Sequence, residues 1–354
     1  MIRTTDIPDL EGYGVFIDGI DFKQLTRGEW RELGKLYMNK LVMIIRKSGL
    51  KNKKVFYRVL SKWGEHRQNY AAITFGKFPW AKGNIQKILD SPDVPDDEKE
   101  YIKEYKRIGG LTRKEGNILR VTGKKINGYR TGLFDHGELL WHSNECGDLA
   151  FTPGVALLGQ HGMTKSATGV MVTAPYYNSL SDSMRSELDE MVLIHNFVDG
   201  KINVNGENNI VYKNMCPEPD TEIPLVIQSP AGIKGLHYTF NTVTGIKGMS
   251  NQEAKKVLAE IRKGLDPYTY DYWWENDDDL MIFDNSITQH RRLGDTTDRL
   301  CLRYQFDYTY LQYKSTKEAY IPYLQEPYIQ RYKDRMTLIA KMLEHEGKSL
   351  PVFV

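Results

Sequence analysis

Residues 280–290 read Leu-Met-Ile-Phe-Asp-Asn-Ser-Ile-Thr-Gln-His, an apolar run that gives way to polar residues and ends on His290. A second stretch, Leu-Leu-Trp-His-Ser-Asn-Glu at 139–145, places His142 at the end of another short apolar run. Short apolar runs bounded by polar residues are typical of buried strands. We therefore expect each histidine where a rigid strand passes into a loop, a junction that can hold a ligand in place.

The segment that follows His290 contains two spaced arginines. If residues 300–308 form a strand, alternation puts Arg299 and Arg303 on one face and the apolar residues on the other. A buried guanidinium needs an anion, because leaving it unpaired in the interior is costly. Two interpretations stay open on spacing alone, a structural ion pair and a site for a carboxylate ligand. Together with the two histidines, the pattern suggests a metal site that serves an anionic cosubstrate.

Composition narrows the class of protein. The chain has 354 residues, enough for one large domain or two ordinary ones, and its 40% hydrophobic and 27% charged residues are typical of a soluble globular protein. A net charge of +2 gives no electrostatic footprint for nucleic acid. Three scattered cysteines indicate neither a disulfide framework nor a zinc knuckle. No signal peptide and no apolar run of ~20 residues is found, so we expect a cytoplasmic protein without a membrane segment.

Local patterns predict the main elements. Thr26 and Ser250 each have a glutamate three residues on, the capping-box pattern, and predict helices over 26–39 and from 250 to Gly264. Another helix is expected to begin at Ser181, and two more at 96–107 and 327–346. Strands are predicted at 41–45, 169–173, 225–228, 236–242, 280–283 and 300–308. Many short strands with few helices favour a β-sandwich or barrel with helices outside it.

Several of these motifs, in this order, resemble the taurine dioxygenase (TauD/TfdA) family of Fe(II)- and 2-oxoglutarate-dependent oxygenases. The residues that carry the resemblance are 137–143, Thr168, Trp273, 284–290, Arg299 and Arg303. The resemblance implies a mainly β fold with flanking helices (α+β), built on a double-stranded β-helix (jelly-roll) core. It assigns residues 1–310 to the oxygenase domain, with lid insertions around 64–130. Residues 311–354 are then a helical extension that packs on the core or on a partner subunit.

The resemblance also implies roles for individual residues. His142 and His290 are similar to the two histidine ligands of the iron. Arg303 is similar to the arginine that binds the distal carboxylate of 2-oxoglutarate, and Thr168 to the hydroxyl partner of that carboxylate. Arg299 resembles an additional arginine near the cosubstrate.

The chain departs from the family at the third metal ligand. Most members have His-x-Asp or His-x-Glu, whereas here Asn144 and then Glu145 follow His142-Ser143. On an extended strand Asn144 shares the face of His142, so it inherits the ligand position. Glu145 reaches the metal only if the chain turns, which Gly147 would permit. Both alternatives stay open, as does a water or halide in the third position.

The sequence thus predicts an Fe(II)/2-oxoglutarate-dependent dioxygenase that hydroxylates an unactivated C–H bond of a small molecule and releases succinate and CO2. The alternatives are a halogenase or altered oxidation at an iron without its carboxylate, and a non-catalytic small-anion binding protein on the same fold. The oligomeric state is left open, a homo-oligomer included. Polar or aromatic candidates for the substrate pocket are His66, Tyr70, Asn127, Tyr129, Asp135, His136 and Glu138.

Overall fold

The computed structural model describes residues 2–66, 79–81, 84–94, 96, 99, 102–103, 118–123, 125–126, 129–130, 137–144, 152–195, 221–240 and 242–308. Some predictions therefore lie outside the described residues. They are Glu145, most of the lid region and of the helix at 96–107, and the whole extension from 311 to 354 with its helix at 327–346.

Strands outnumber helices in the described part of the chain. The strands are β1 (Arg3–Asp6), β2 (Gly14–Asp18), β3 (Val42–Ile45), β4 (Glu65–His66), β5 (Ile118–Thr122), β6 (Lys125–Ile126), β7 (Tyr129–Arg130), β8 (Leu139–His142), β9 (Gly154–His161), β10 (Ser166–Val172), β11 (Val192–His195), β12 (Thr221–Pro224), β13 (Val226–Gln228), β14 (Lys234–Leu236), β15 (Val243–Ile246), β16 (Thr269–Trp273), β17 (Leu280–Asp284), β18 (Thr288–Gly294) and β19 (Leu300–Asp307). The helices are α1 (Arg27–Asn39), α2 (Lys53–Leu60), α3 (Ile85–Asp90), α4 (Ala174–Ser179), α5 (Asp182–Asp189) and α6 (Asn251–Leu265).

Two sheets form the framework of the described residues. The larger has the order β1-β2-β3-β17-β9-β19-β4, with β5 also paired to β19. The smaller has the order β16-β10-β18-β8. Strands β2 and β3 pair in parallel, whereas the pairs formed by β17, β18 and β19 are antiparallel.

Alternation along the strands of the larger sheet separates two hydrophobic cores. On β3, Met43 and Ile45 pack toward helices α1 and α2, whereas Val42 and Ile44 face the smaller sheet. All four side chains are fully buried, which explains why this segment is apolar at every position. A third core lies between the smaller sheet and helices α4 to α6.

The alternation predicted for 300–308 is confirmed in β19. Leu302 and Tyr304 belong to the core on the helix side, and Cys301 to the core between the sheets. Arg299 and Arg303, on the same side as Cys301, are both buried. The space between the two sheets therefore receives the guanidinium groups.

The predicted helix starts are also confirmed. Thr26 and Ser250 form complete capping boxes, and Ser181 caps α5. Gly264, however, lies inside the last turn of α6 and does not end the helix. A β-carbon at this position would overlap the ring of Tyr176, so the glycine allows the helix and this ring to pack closely. None of the described helices has the length and apolar character needed to span a bilayer.

The strand predicted at 236–242 is wrong beyond Leu236, where β14 ends. Thr239 and Thr242 instead hydrogen-bond each other through their hydroxyl groups at 2.6 Å, and such local polar bonds compete with a strand ladder. Strands β9, β16 and β18 were not predicted. β18 reads Thr-Gln-His-Arg-Arg-Leu-Gly and has no apolar pattern, but it lies between two partner strands.

Two buried histidines lie close to this region, His195 at the end of β11 and His237 just after β14. Nδ1 of His195 is 3.1 Å from the Thr242 hydroxyl, and Nδ1 of His237 is 2.7 Å from the carbonyl oxygen of Ser286. Burial, together with the neighbouring His237, lowers the pKa of His195 to about 3. Burial lowers the pKa of His237 to about 4, although its bond to Ser286 opposes this. Both imidazoles are therefore neutral in the folded protein near neutral pH.

We expect the free energy of unfolding to fall as the pH is lowered below about 6.5. The folded pKa values of His195 and His237 lie below the ordinary value, so the unfolded chain binds protons first and stability is lost toward about pH 4. The raised pKa of Asp284 acts in the opposite sense between its ordinary value and about 6. Urea unfolding across this range should show that His195→Asn reduces the pH slope by about 1 kcal/mol per pH unit. The exposed His161→Asn is the control, and an equal effect there would contradict the assignment.

Candidate functional site

His142 and His290 face each other across two antiparallel strands. They are register partners in the β8–β18 pair, and their ring centroids are 4.1 Å apart at an interplanar angle of 44°. His142 is the last residue of β8, as expected. His290, by contrast, lies inside β18 and not at a loop junction, so that expectation was wrong.

The hydrogen bonds of His142 define its tautomer. Nδ1 is 2.6 Å from the carbonyl oxygen of Leu140. Because a carbonyl only accepts, Nδ1 carries the proton and Nε2 keeps its lone pair. Burial, assisted by Arg303 and Arg292, lowers the pKa of His142 to about 4, against the opposing effect of the Leu140 bond. Burial and the neighbouring His142 and Arg303 likewise place the pKa of His290 well below its ordinary value.

Two neutral imidazoles at this distance fit a metal ion. With metal–nitrogen bonds of about 2.1 Å, two rings bound at right angles to one ion have centroids about 4.5 Å apart. The observed 4.1 Å is close to this value. Among the described residues, no group of three or more His, Cys, Asp and Glu side chains could hold a metal, so the histidine pair stands without a carboxylate there.

Asn144 follows β8 in a turn and is 5% exposed. Its Oδ1 accepts a hydrogen bond from Nη1 of Arg303 at 3.1 Å, and its Nδ2 is buried without a partner among the residues that the structure describes. Asn144 and Glu145 are the two residues predicted as possible third metal ligands. Asn144 lies against an arginine, and Glu145 is outside the described residues.

A single side chain, Asn285, holds the main chain on both sides of the segment 145–151. Its Oδ1 accepts from the N–H of Asn144 at 2.8 Å, and its Nδ2 donates to the carbonyl oxygens of Asn144 and Thr152 at 2.9 and 3.0 Å. The N–H of Asn285 also donates to the carbonyl of Pro153 at 2.6 Å. Asn285 is fully buried, so these bonds are shielded from water.

The turn that carries Asn285 is stabilised by Asp284. Its carboxylate accepts from the N–H groups of Ser286 and Ile287, both at 2.8 Å, and from the hydroxyl of Tyr308. Burial raises the pKa of Asp284 to about 6, while these hydrogen bonds oppose the shift. The carboxylate thus organises the turn between β17 and β18 and does not reach the histidines through any of these bonds.

Arg299, Thr168 and Trp274 form a second polar group in the interior. The hydroxyl oxygen of Thr168 accepts from Nη2 of Arg299 at 3.4 Å and from Nε1 of Trp274 at 3.0 Å. Arg299 is only 3% exposed, and its Nε and Nη1 are buried with no hydrogen-bond partner among the described residues. Burial lowers the pKa of this guanidinium, the expected penalty for a charge without an anion.

The histidine pair, Thr168 and Arg299 line one pocket, whose space amounts to about 390 Å³ when the open solvent at its mouth is counted. Arg303 and Arg292 line it as well, and Arg292 donates two hydrogen bonds to the carbonyl oxygen of Gly137 at 2.7 and 3.1 Å. The described lining contains arginines and no acidic residue, so this part of the pocket is positive and suited to an anionic ligand.

The structure places His142, His290, Thr168, Arg299 and Arg303, all of them candidates from the sequence, around one pocket. Thr168 bonds to Arg299 and not to Arg303. Sequence reasoning missed Asn285 and Trp274. Trp274 is buried whereas its neighbour Trp273 is exposed, as the period-two alternation of a strand predicts.

Comparisons with known proteins place the chain in one family and give its fold several similar structures. A model of the family described as "Taurine catabolism dioxygenase TauD, TfdA family" matches residues 10–305. The fold is similar to that of AAD-2 in complex with Mn(II) and N-oxalylglycine, with a TM-score of 0.59 and 16% identity, covering 86% of this chain and 97% of that one. It is also similar to a taurine dioxygenase from Burkholderia xenovorans, with a TM-score of 0.57 and 17% identity, covering 86% and 90%. No curated protein matches the sequence.

The family match identifies the chain as a non-haem iron, 2-oxoglutarate-dependent dioxygenase, and its mostly β fold with flanking helices agrees with this class. The chain belongs to the TauD/TfdA family, whose model covers most of its length. Its cofactors are accordingly Fe(II) and 2-oxoglutarate.

The contacts of Asn285 predict a stability effect. Asn285→Ala should lower the free energy of unfolding by about 2–4 kcal/mol, because it leaves buried backbone groups of Asn144 and Thr152 without partners. Urea denaturation monitored by circular dichroism measures this. The exposed Asn178→Ala should change stability by less than about 0.5 kcal/mol. Equal losses in both variants would show that the clamp contributes nothing.

Proposed function

We propose that this dioxygenase hydroxylates an unactivated C–H bond of a small molecule, with release of succinate and CO2. The observation that carries the proposal is one pocket lined by a neutral histidine pair and by Arg299 with Thr168. The first pair suits a metal ion, and the second suits a carboxylate. The two facing sheets and their antiparallel pairings support a double-stranded β-helix core for the domain.

His142 and His290 would hold the iron. Nε2 of His142 keeps its lone pair, and both imidazoles are neutral because they are buried. Neutral imidazole is the form that binds a metal, so no proton has to leave before binding. Since both residues lie in paired strands, the two rings are also pre-positioned.

Arg299 and Thr168 would bind the distal carboxylate of 2-oxoglutarate. The family resemblance implies Arg303 for this role, whereas the hydrogen bond between Arg299 and Thr168 supports Arg299. Nε and Nη1 of Arg299 have no partner in the part of the chain that the structure describes, and can therefore donate to a carboxylate. The Thr168 oxygen already accepts two hydrogen bonds, so its own proton is left to donate to the same anion.

Bound iron, with 2-oxoglutarate and O2, supplies the oxidising chemistry. The protein supplies position and exclusion of water. Trp274 orients the Thr168 hydroxyl, and Arg299 holds the cosubstrate at its far end. The buried cationic walls then neutralise the negative charge of the cosubstrate, and a low dielectric strengthens that attraction.

Loss of His142 should abolish the reaction. Purified protein with Fe(II), O2 and 2-oxoglutarate should form succinate, and His142→Ala should form none above background because one of the two histidine donors is missing. The exposed His161→Ala should keep the wild-type rate. Binding of 2-oxoglutarate without any succinate across a broad panel of small substrates would favour a binding protein over an enzyme.

Substitution of Arg299 should weaken the binding of 2-oxoglutarate. Arg299→Met removes the charge but keeps the length, so the Kd of 2-oxoglutarate should rise about 100-fold, as expected when one member of a buried charge pair is lost. Calorimetry in the presence of Mn(II) measures this without turnover.

Arg46 offers a matched control, because its guanidinium is already paired with Asp18 through two hydrogen bonds of 2.8 and 2.6 Å. Arg46→Met should leave the Kd unchanged. A Kd in Arg299→Met that equals the wild-type value would return the distal carboxylate to Arg303.

A further inference from the structure

Asn144 stands where the family carries an acidic metal ligand, yet its side chain faces a cation. Its Oδ1 accepts from Nη1 of Arg303 at 3.1 Å. A guanidinium can only donate, so the oxygen of the amide, and not its NH₂ group, must lie on the Arg303 side. An amide binds metals through its oxygen, because the nitrogen lone pair is delocalised. The one metal-binding atom of Asn144 is therefore directed at an arginine.

The position of Asn144 is fixed independently by its main chain. Asn285 binds both the N–H and the carbonyl of Asn144, at 2.8 and 2.9 Å, and all of these groups are buried. To turn the amide oxygen toward a metal, the side chain would have to give up Arg303 while its backbone stays held. The side-chain contact with Arg303 and the main-chain contacts with Asn285 thus both hold Asn144 in the observed orientation.

Electrostatics opposes sharing of this oxygen. A carboxylate has a negative charge and two oxygens, so it can bind a metal with one and an arginine with the other. A neutral amide has one oxygen and no charge to offset two cations brought together in the interior, where their repulsion is strong. An asparagine oxygen that already accepts from Arg303 is therefore a poorer metal ligand than the carboxylate of the family pattern.

We propose that Asn144 is not a metal ligand but the positioning residue for Arg303, which it holds in the pocket to receive the 2-oxo acid end of the cosubstrate. Arg303 lines the same pocket as His142 and His290, where that end of the cosubstrate would lie. The inference rests on the proposed function and refines it: Arg299 and Thr168 take the distal carboxylate, and Arg303 takes the end nearest the histidines.

The first measurement separates a ligand from a positioning residue. Mn(II) affinity, measured by electron paramagnetic resonance without cosubstrate, should change less than about threefold in Asn144→Ala, because no metal bond is lost. In His142→Ala it should fall at least about 100-fold. Asn144→Leu, which is close to asparagine in volume, serves if the alanine variant does not fold.

The second measurement tests the coupling of Asn144 to Arg303. With saturating Mn(II), Asn144→Ala and Arg303→Met should each raise the Kd of 2-oxoglutarate about tenfold, the effect of one hydrogen bond to a charged group. The double variant should bind no more weakly than Arg303→Met alone, because Asn144 acts only through Arg303. The exposed Asn178→Ala is the matched control and should bind both Mn(II) and 2-oxoglutarate as the wild type does.

Two results overturn the proposal while leaving the proposed function intact. One is a loss of Mn(II) in the Asn144 variants as large as in His142→Ala, which would make Asn144 a ligand. The other is additive weakening of 2-oxoglutarate binding in the double variant, which would mean that the two residues act separately. Failure of the wild-type protein to bind Mn(II) or 2-oxoglutarate would overturn the proposed function, and this inference with it.

Discussion

The register between β8 and β18 is the constraint on which the rest of the site depends. It sets His142 directly opposite His290 and brings their rings to 4.1 Å. Side chains alternate along a strand, so a slip of one residue would send one imidazole to the other face of the sheet. β18 pairs with β10 along its whole length, and this pairing holds the register from the other edge. The histidine pair is thus a property of the sheet as a whole.

The turn between β17 and β18 links this sheet to the larger one. Asp284 closes the turn through two backbone N–H groups, and Asn285 then reaches across to residues 144 and 152. Both residues are buried, so each bond forms in a medium where an unmade bond is costly. One short polar turn therefore positions β18 and, at the same time, the end of β8. This explains why polar residues occupy the interior immediately after an apolar strand.

The arginines of the pocket differ in what they contact. Arg303 donates to an amide oxygen, Arg292 to a carbonyl oxygen and Arg299 to a hydroxyl. Within the described part of the chain, two N–H groups of Arg299 are buried without a partner, and burial disfavours its charge. The neutral hydroxyl of Thr168 orients this guanidinium but does not neutralise its charge, so the attraction of Arg299 for an anionic ligand is retained. The free energy stored in this unsatisfied group is available for binding a carboxylate.

Much of the fold could be predicted from local pattern. Capping boxes at Thr26 and Ser250 act within a few residues, and the alternation of β19 follows from the geometry of a strand. The polar strand β18 could not be predicted in this way, because it is defined by its neighbours and has no apolar period. The strand predicted after Leu236 was wrong for the opposite reason. The composition of this region favours a strand, but local hydrogen bonds between hydroxyl groups form there instead.

For the site, the sequence by itself determined which residue types are present: two histidines after or among apolar runs, two inward-facing arginines and an asparagine in place of an acid. Only the tertiary structure decided their partners. It paired Thr168 with Arg299 and Asn144 with Arg303, whereas the family resemblance implied that Thr168 and Arg303 share one carboxylate. The physical reason is that hydrogen bonds are short and directional, so partners are set by how β8, β10 and β19 face one another across the core.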